Sequence, residues 1–211
     1  MKRKQTLTVF LQAMVLFSGT IVLGENIDPN NDDSQYAYGE NVGWLNFEPN
    51  TGDGVQVASD KLTGFVWAEN IGWMSLSCEN TSSCGTVNYG VTNDGSGNLS
   101  GYAWAENVGW INFNPIVPGD PIDYGVKIDA DGNFDGWAWG ENIGWIRFDS
   151  TKTYNVQACK VTLEDFANFS ADWLQSGPVP GNLDGEDPVD LSDLEIFVFY
   201  WLDFCPDDWQ L

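Results

Sequence analysis

Histidine is absent from this chain. Its absence removes the commonest general base, the Ser-His and Cys-His nucleophile pairs, and nearly every zinc or copper site built on imidazole. Basic residues are scarce too: eight Lys and Arg stand against 31 Asp and Glu, a net charge of −23. Such a surface argues against nucleic acid and anionic membranes, and it suits cations, above all calcium, and neutral polymers. After residue 24 no segment is apolar enough to read as a bilayer span. Cysteine is limited to four residues. Cys78 and Cys84 flank a short insertion and are expected to pair. Cys159 and Cys205 then pair by elimination, giving two disulfides in a secreted chain.

One apolar run is present, at the N-terminus. Met1-Lys2-Arg3-Lys4 is followed by an apolar stretch from Leu7 and by Val22-Leu23-Gly24. A basic start, an apolar middle and a small-residue end spell a secretory signal peptide over residues 1–24. Cleavage, rather than a retained anchor, is expected because acidic sequence follows at once. Residues 25–34, rich in Asn, Asp and Pro, read as a linker. The expected location is secreted or at the cell surface, with no membrane span after cleavage.

Four near-copies of one stretch organise residues 35–157. The third reads Gly101-Tyr102-Ala103-Trp104-Ala105-Glu106-Asn107-Val108-Gly109-Trp110-Ile111-Asn112-Phe113. The others centre on Glu40-Asn41-Val42-Gly43, Glu69-Asn70-Ile71-Gly72 and Glu141-Asn142-Ile143-Gly144. Aromatic and β-branched residues flank each centre, which is the pattern of a hairpin. Asn and Gly tolerate the backbone reversal. The recurring Glu40, Glu69, Glu106 and Glu141 need another reason: they accept loop amides or they face a ligand.

A third strand follows each hairpin, at Gly54-Val55-Gln56-Val57, Tyr89-Gly90-Val91, Tyr124-Gly125-Val126 and Tyr154-Asn155-Val156. Turn sequences such as Asn93-Asp94-Gly95 separate the units. The expectation is an all-β repeat domain of four three-stranded meanders, closed on itself in a propeller- or prism-like body. Alternation places Ile111 and Phe113 on one face and Trp110 and Asn112 on the other. Trp44, Trp73, Trp110 and Trp145 then either stack between repeats as core or line a sugar-binding face. Burial is the usual fate of large aromatics and is the favoured expectation. Asp129-Ala130-Asp131-Gly132-Asn133 is a minor calcium candidate, with a plain turn favoured.

Residues 158–211 change character. Leu163, Phe166, Phe169 and Trp173 have helical spacing, and so do Leu191, Leu194, Phe197 and Trp201. The two segments match one another, so this is a duplicated loop-helix element. It resembles a dockerin type I domain, whose halves each join a calcium loop to a helix. The resemblance implies oxygen ligands at alternate loop positions and a carboxylate at the twelfth. Asn182, Asp184, Glu186, Asp190 and Asp193 fall at positions one, three, five, nine and twelve, and Pro188 offers a carbonyl at seven. Asp187 departs from the usual Gly at six, and the first half, around Asn155 to Val161, lacks a ligand set. One calcium site is therefore implied, together with a cohesin-like protein partner. The repeats themselves resemble uncharacterised secreted bacterial proteins carrying Gly-Tyr-Ala-Trp-x-Glu-Asn-Ile-Gly-Trp units, a likeness that implies no activity.

The function expected is a secreted, non-catalytic module. Its β body binds glycan or another surface, with Trp44, Trp73, Trp110 and Trp145 as ligand-facing candidates, and its tail attaches it to a partner. A purely structural envelope or matrix protein is the alternative. A glycoside hydrolase is the less favoured one: four equivalent Glu residues look structural, whereas a catalytic pair breaks repeat symmetry.

Overall fold

A computed structural model describes residues 26–149, 151, 154–206, 209 and 211. The expected signal peptide lies outside the described residues. Twelve strands and two helices occur among the described residues. The four hairpins are β1 (Tyr36–Gly39) with β2 (Gly43–Asn46), β5 (Phe65–Ala68) with β6 (Gly72–Ser75), β8 (Leu99–Ala105) with β9 (Gly109–Asn112), and β11 (Phe134–Gly140) with β12 (Gly144–Phe148). Each turns at its Glu-Asn-x-Gly centre. Neighbouring hairpins pair through Leu45↔Ala68, Met74↔Ala105 and Gly140↔Ile111, and Tyr38↔Arg147 joins the last hairpin to the first. The result is a closed, eight-stranded antiparallel barrel.

An eight-stranded barrel is only just wide enough to be filled by side chains. Its interior follows a small-against-large rule. Ala37 faces Leu45, Val66 faces Met74, Ala103 faces Ile111 and Ala138 faces Ile146, all of them buried. Phe47, Phe113, Phe134 and Phe148 fill the next layer, with ring centroids 5.5–6.2 Å apart. Full burial of each such side chain contributes about 1.5–3 kcal/mol.

The third strands differ from the expected meander. β3 (Gln56–Val57), β7 (Val91–Asn93) and β10 (Lys127–Ile128) leave their own hairpins and pair forward. β3 pairs with β4 (Lys61–Thr63), β7 with the start of β8, and β10 with the start of β11. The last connecting segment returns to the beginning through the Gln35↔Val156 bridge. Barrel closure therefore replaces the propeller- or prism-like body, and each repeat is completed by its successor.

That forward pairing needs a sharp bend where the long strands enter the barrel. Gly101 supplies it with φ +89°, and a Cβ there would lie 2.2 Å from the Gly90 carbonyl oxygen. Gly64 on Gly54 and Gly136 on Gly125 repeat the same backbone-on-backbone contact.

Residues 26–34 are not a free linker. Asn26 is buried, and its amide reaches the carbonyls of Val57 and Cys205 at 2.9 and 3.1 Å, while its Oδ1 accepts from the Val57 amide at 2.8 Å. Ile27 bridges Ala158. Asp28 accepts from the Asp32 amide and the Ser34 hydroxyl. A short polar segment reads as a linker because these bonds run to residues far away in sequence. The segment instead straps the barrel to the tail.

The tail holds α1 (Leu163–Asp172) and α2 (Leu191–Phe199), as the two periodic stretches predict. Its halves interlock by a local twofold. Val161 pairs with Leu202 and Asp203, and Val189 pairs with Leu174 and Gln175. Leu174 and Leu202 each take φ +63°. Phe169 and Phe197 stack at 5.1 Å in a small core with Val161 and Val189. Both expected disulfides are present, Cys78–Cys84 and Cys159–Cys205. They indicate an oxidising, extracytoplasmic setting. No helix among the described residues is long and apolar enough to cross a membrane.

Candidate functional site

The barrel wall turns its large aromatics outward. Tyr38 opposes Trp44, Trp67 opposes Trp73, Trp104 opposes Trp110 and Trp139 opposes Trp145. Each pair meets edge-on or tilted, with centroids 4.5–5.0 Å apart, a geometry the ring quadrupole favours. Trp44 is 45% exposed, Trp110 41% and Trp73 36%, and Trp145 is partly buried. This corrects the expectation that these four Trp residues are core. The narrow barrel interior takes Ala, Val, Ile, Leu, Met and Phe, and the larger indoles lie on the outward face of the alternation. The small residues Ala37, Ala103 and Ala138, each flanked by outward aromatics, were the sequence signal for this.

Neighbouring residues extend the four aromatic faces. Tyr36, Phe65, Tyr102 and Trp137 lie at the next outward position and contact the same Trp residues at 6.1–6.4 Å. Tyr154, Tyr89 and Tyr124, from the connecting segments, pack on Trp44, Trp110 and Trp145 at 4.9–5.3 Å. Arg147 lies over Trp137 and pairs with buried Asp149. An indole face of this kind can cover the apolar face of a sugar ring.

The Glu-Asn-x-Gly turns gather at one end of the barrel. The positive φ sits at the Gly of each turn, not at the Asn. The Asn residues do something else. Asn70 donates to the Val42 carbonyl, Asn107 to Ile71, Asn142 to Val108, and Asn41 closes the circle to Ile143, at 2.9–3.1 Å. Each turn is thus tied to the one before it. Glu40, Glu69, Glu106 and Glu141 are exposed on this rim.

The Asn182–Asp193 loop is drawn together by its own amides. Asp193 is fully buried; its Oδ1 accepts from Leu183 and Asp184 at 2.6 and 3.0 Å, and its Oδ2 accepts from Asp190 at 2.9 Å. Burial by itself raises the Asp193 pKa. The Asp190, Asp184 and Leu183 amides outweigh it and hold the carboxyl below the ordinary carboxylate value. Asp190 caps α2 through the Ser192 amide at 2.8 Å, and Asp184 accepts from Glu186 at 2.8 Å. Asp187 turns to the Gly177 amide and the Asn182 side chain. Glu186 and Pro188 are exposed.

Among the described residues no three Cys, Asp or Glu side chains gather closely enough to hold a metal ion. One atom has the character of a ligand: Asn182 Oδ1 is buried and has no hydrogen-bond partner. The loop as folded turns that first-position oxygen inward and commits the twelfth-position carboxylate of Asp193 to amide hydrogens. Asp129 closes a plain turn by accepting from the Asp131 and Asn133 amides, both at 2.9 Å.

A hollow of about 640 Å³ lies at the barrel–tail junction, lined by Asn26, Asp131, Lys160, Asp165 and Trp209 among others. Asn26 and Asp165 there are already bound, to Val57 and Cys205 and to Trp209 respectively. No protein-family model, no curated protein and no solved structure matches this chain.

Proposed function

We propose that the chain is an extracytoplasmic, non-catalytic binding module whose barrel wall holds glycan and whose helical tail attaches it to a protein partner of the cohesin kind. One observation carries the reading: large aromatics that would ordinarily be buried repeat around the outside of a closed barrel, with Trp44, Trp73 and Trp110 more than a third exposed. Indole stacking on sugar rings gives a use for such a surface, and repetition lets weak contacts add through avidity. The acidic charge of −23 favours neutral polymers over uronic or sulfated ones. Four symmetric rim carboxylates suit a scaffold better than a hydrolytic pair, which needs two distinct environments.

The tail's exposed apolar side chains support attachment. Leu163 and Leu191, at the first positions of α1 and α2, are each 72% exposed. Calcium enters this reading only as an ion that must displace the amide bonds of Asp193. Melting the full chain with and without millimolar calcium tests it. A shift that Asn182→Ala removes would support the ion, and an unchanged melting point would leave the loop closed by its amides.

A pull-down of the full chain on insoluble cellulose, xylan, mannan and chitin tests the glycan reading. Retention that is lost when Trp44, Trp73 and Trp110 are replaced together by Ala supports it. No retention on any neutral polymer, with the fold intact, leaves the alternative of an envelope or matrix protein.

A further inference from the structure

The four aromatic faces are not equivalent, and the second is built differently. In the first, third and fourth repeats a Tyr of the connecting segment packs on the Trp: Tyr154 on Trp44, Tyr89 on Trp110 and Tyr124 on Trp145. These Tyr residues precede the small or amide residues Asn155, Gly90 and Gly125. The matching position before Gly54 is Asp53, which is exposed. Gly52 lies against the Trp73 ring, where a Cβ would stand 3.3 Å from the indole Cη2. The second face therefore offers Phe65, Trp67 and Trp73 with Asp53 at the position the other three faces give to Tyr.

A second, independent feature belongs to the same repeat. The Cys78–Cys84 loop folds back over the entry of this hairpin. Its Asn80 holds both the amide and the carbonyl of Gly64, at 3.0 and 2.6 Å, and its Glu79 is fixed by Lys61 at 2.8 Å. Between this loop and the connecting segment lies a hollow of about 210 Å³ lined by Asp53, Gln56, Thr63, Glu79 and Asn80. Asp53 belongs to both features: it lines the hollow, and its neighbour Gly52 touches the Trp73 indole. An aromatic platform thus lies next to a recess bordered by Asp53, Thr63 and Asn80, whose rim is held by a disulfide loop.

The geometry points to the second repeat as the principal ligand subsite of the barrel, taking a neutral glycan chain with one sugar stacked on Trp73 and the next presenting hydroxyls to Asp53 and its neighbours. This rests on the glycan reading proposed above and deepens it. Stacking supplies contact area, and carboxylate and amide groups accept and donate to hydroxyls. Asp53, on a chain of net charge −23, disfavours an anionic sugar at this place, whereas Glu79 is balanced by Lys61. The other three faces carry a Tyr edge against the Trp and lack the recess, and would act as lesser platforms, although Trp44 and Trp110 are themselves no less exposed than Trp73.

Titration calorimetry of the full chain with cellohexaose, xylohexaose, mannohexaose and an oligogalacturonate tests the assignment. With the neutral hexasaccharide that binds best, Trp73→Ala and Asp53→Tyr should each weaken binding about tenfold or more, and Trp110→Ala by less than about twofold. Asp53→Tyr puts back the residue type found in the other three repeats, so it keeps the test decisive if Trp73→Ala unfolds the chain. Equal losses at Trp110 and Trp73, undiminished binding in Asp53→Tyr, or preference for the oligogalacturonate would overturn the subsite while leaving the glycan reading in place. A wild-type chain that binds none of the neutral probes would remove both.

Discussion

Barrel and tail both arise by duplication, yet they are held together by different chemistry. The barrel closes through backbone pairing and neutral amides: strand ladders, glycine against glycine, and a circle of Asn side chains. The tail closes through carboxylates. Asp165 and Asp193 each sit buried at the start of a helix; Asp165 accepts from the Thr162 amide and hydroxyl and the Trp209 indole, Asp193 from three loop amides, with Thr162 and Asp190 completing the capping boxes. Both parts bury Phe rings, four in the barrel (Phe47, Phe113, Phe134 and Phe148) and Phe169 with Phe197 in the tail. The barrel differs in turning its larger indoles outward, on a wall with Trp44, Trp73 and Trp110 more than a third exposed.

The sharpest way to break the barrel without touching the tail is Gly101→Val. The position needs φ +89° and a Cβ there would meet the Gly90 oxygen at 2.2 Å, which backbone cannot yield cheaply. A loss above about 4 kcal/mol is expected, seen as absent β signal in circular dichroism with no soluble native chain. Gly109→Val shares the left-handed backbone, but its nearest neighbour is a Trp104 ring carbon at 3.9 Å. It should cost less, about 2 kcal/mol. Similar melting points for the two variants would refute the account of the bend.

The Asp193 cap in the tail should be acid-sensitive; Asp94 and Asp123 in the barrel are also held low, by the Asn98 side chain and by Lys127, but both lie exposed. The Asp193 carboxyl titrates below its ordinary value of 3.8 in the folded chain. Its stabilisation is therefore complete above that value and is lost as pH falls through the lower folded pKa. Asp28, in the strap, is also held low: burial raises its pKa, but the Asp32 amide and the Ser34 hydroxyl and amide outweigh this, so it adds to the same acid loss. Asp193→Asn should cost about 2–3 kcal/mol at neutral pH and flatten the fall in tail stability below about pH 4. Hydrogen exchange at the Leu183, Asp184 and Asp190 amides reads this directly. Exchange in the wild type that stays unchanged on acidification would falsify the capping role.

Much of this was legible in the residues. The repeat, the hairpins, the shared face of Ile111 and Phe113, both disulfides and both helices follow from the residue pattern. Closure as a barrel was not, because it depends on pairings such as Asn41 with Ile143, separated by 102 positions. The Trp residues have two readings in the sequence, core or ligand face, since alternation assigns two faces without saying which is inside. The Asn26 strap was missed because its hydrogen bonds reach Val57 and Cys205, which no local rule connects. At the Asn182–Asp193 loop the ligand set that the dockerin resemblance implies and the loop's own amides draw on the same Asp193 carboxylate, a competition that no local pattern displays.

The smallest expected effect asks whether the turn circle acts as a ring or as four separate bonds. Asn107 donates to the Ile71 carbonyl at 2.9 Å, at the partly buried end of the barrel. Its replacement by Ala removes one neutral hydrogen bond and should cost about 1 kcal/mol. Asn70 and Asn142 donate to different carbonyls, those of Val42 and Val108, and share no partner. The strand ladders beneath them already fix the register, so the circle adds to closure without creating it. Asn70→Ala with Asn142→Ala should therefore lose about 2 kcal/mol, the sum of the two singles within about half a kcal/mol. Urea unfolding of the two singles and the double measures the cycle. A double variant that loses far more than the sum would mean that the turns close cooperatively, and that the barrel depends on side-chain amides as the tail depends on carboxylates.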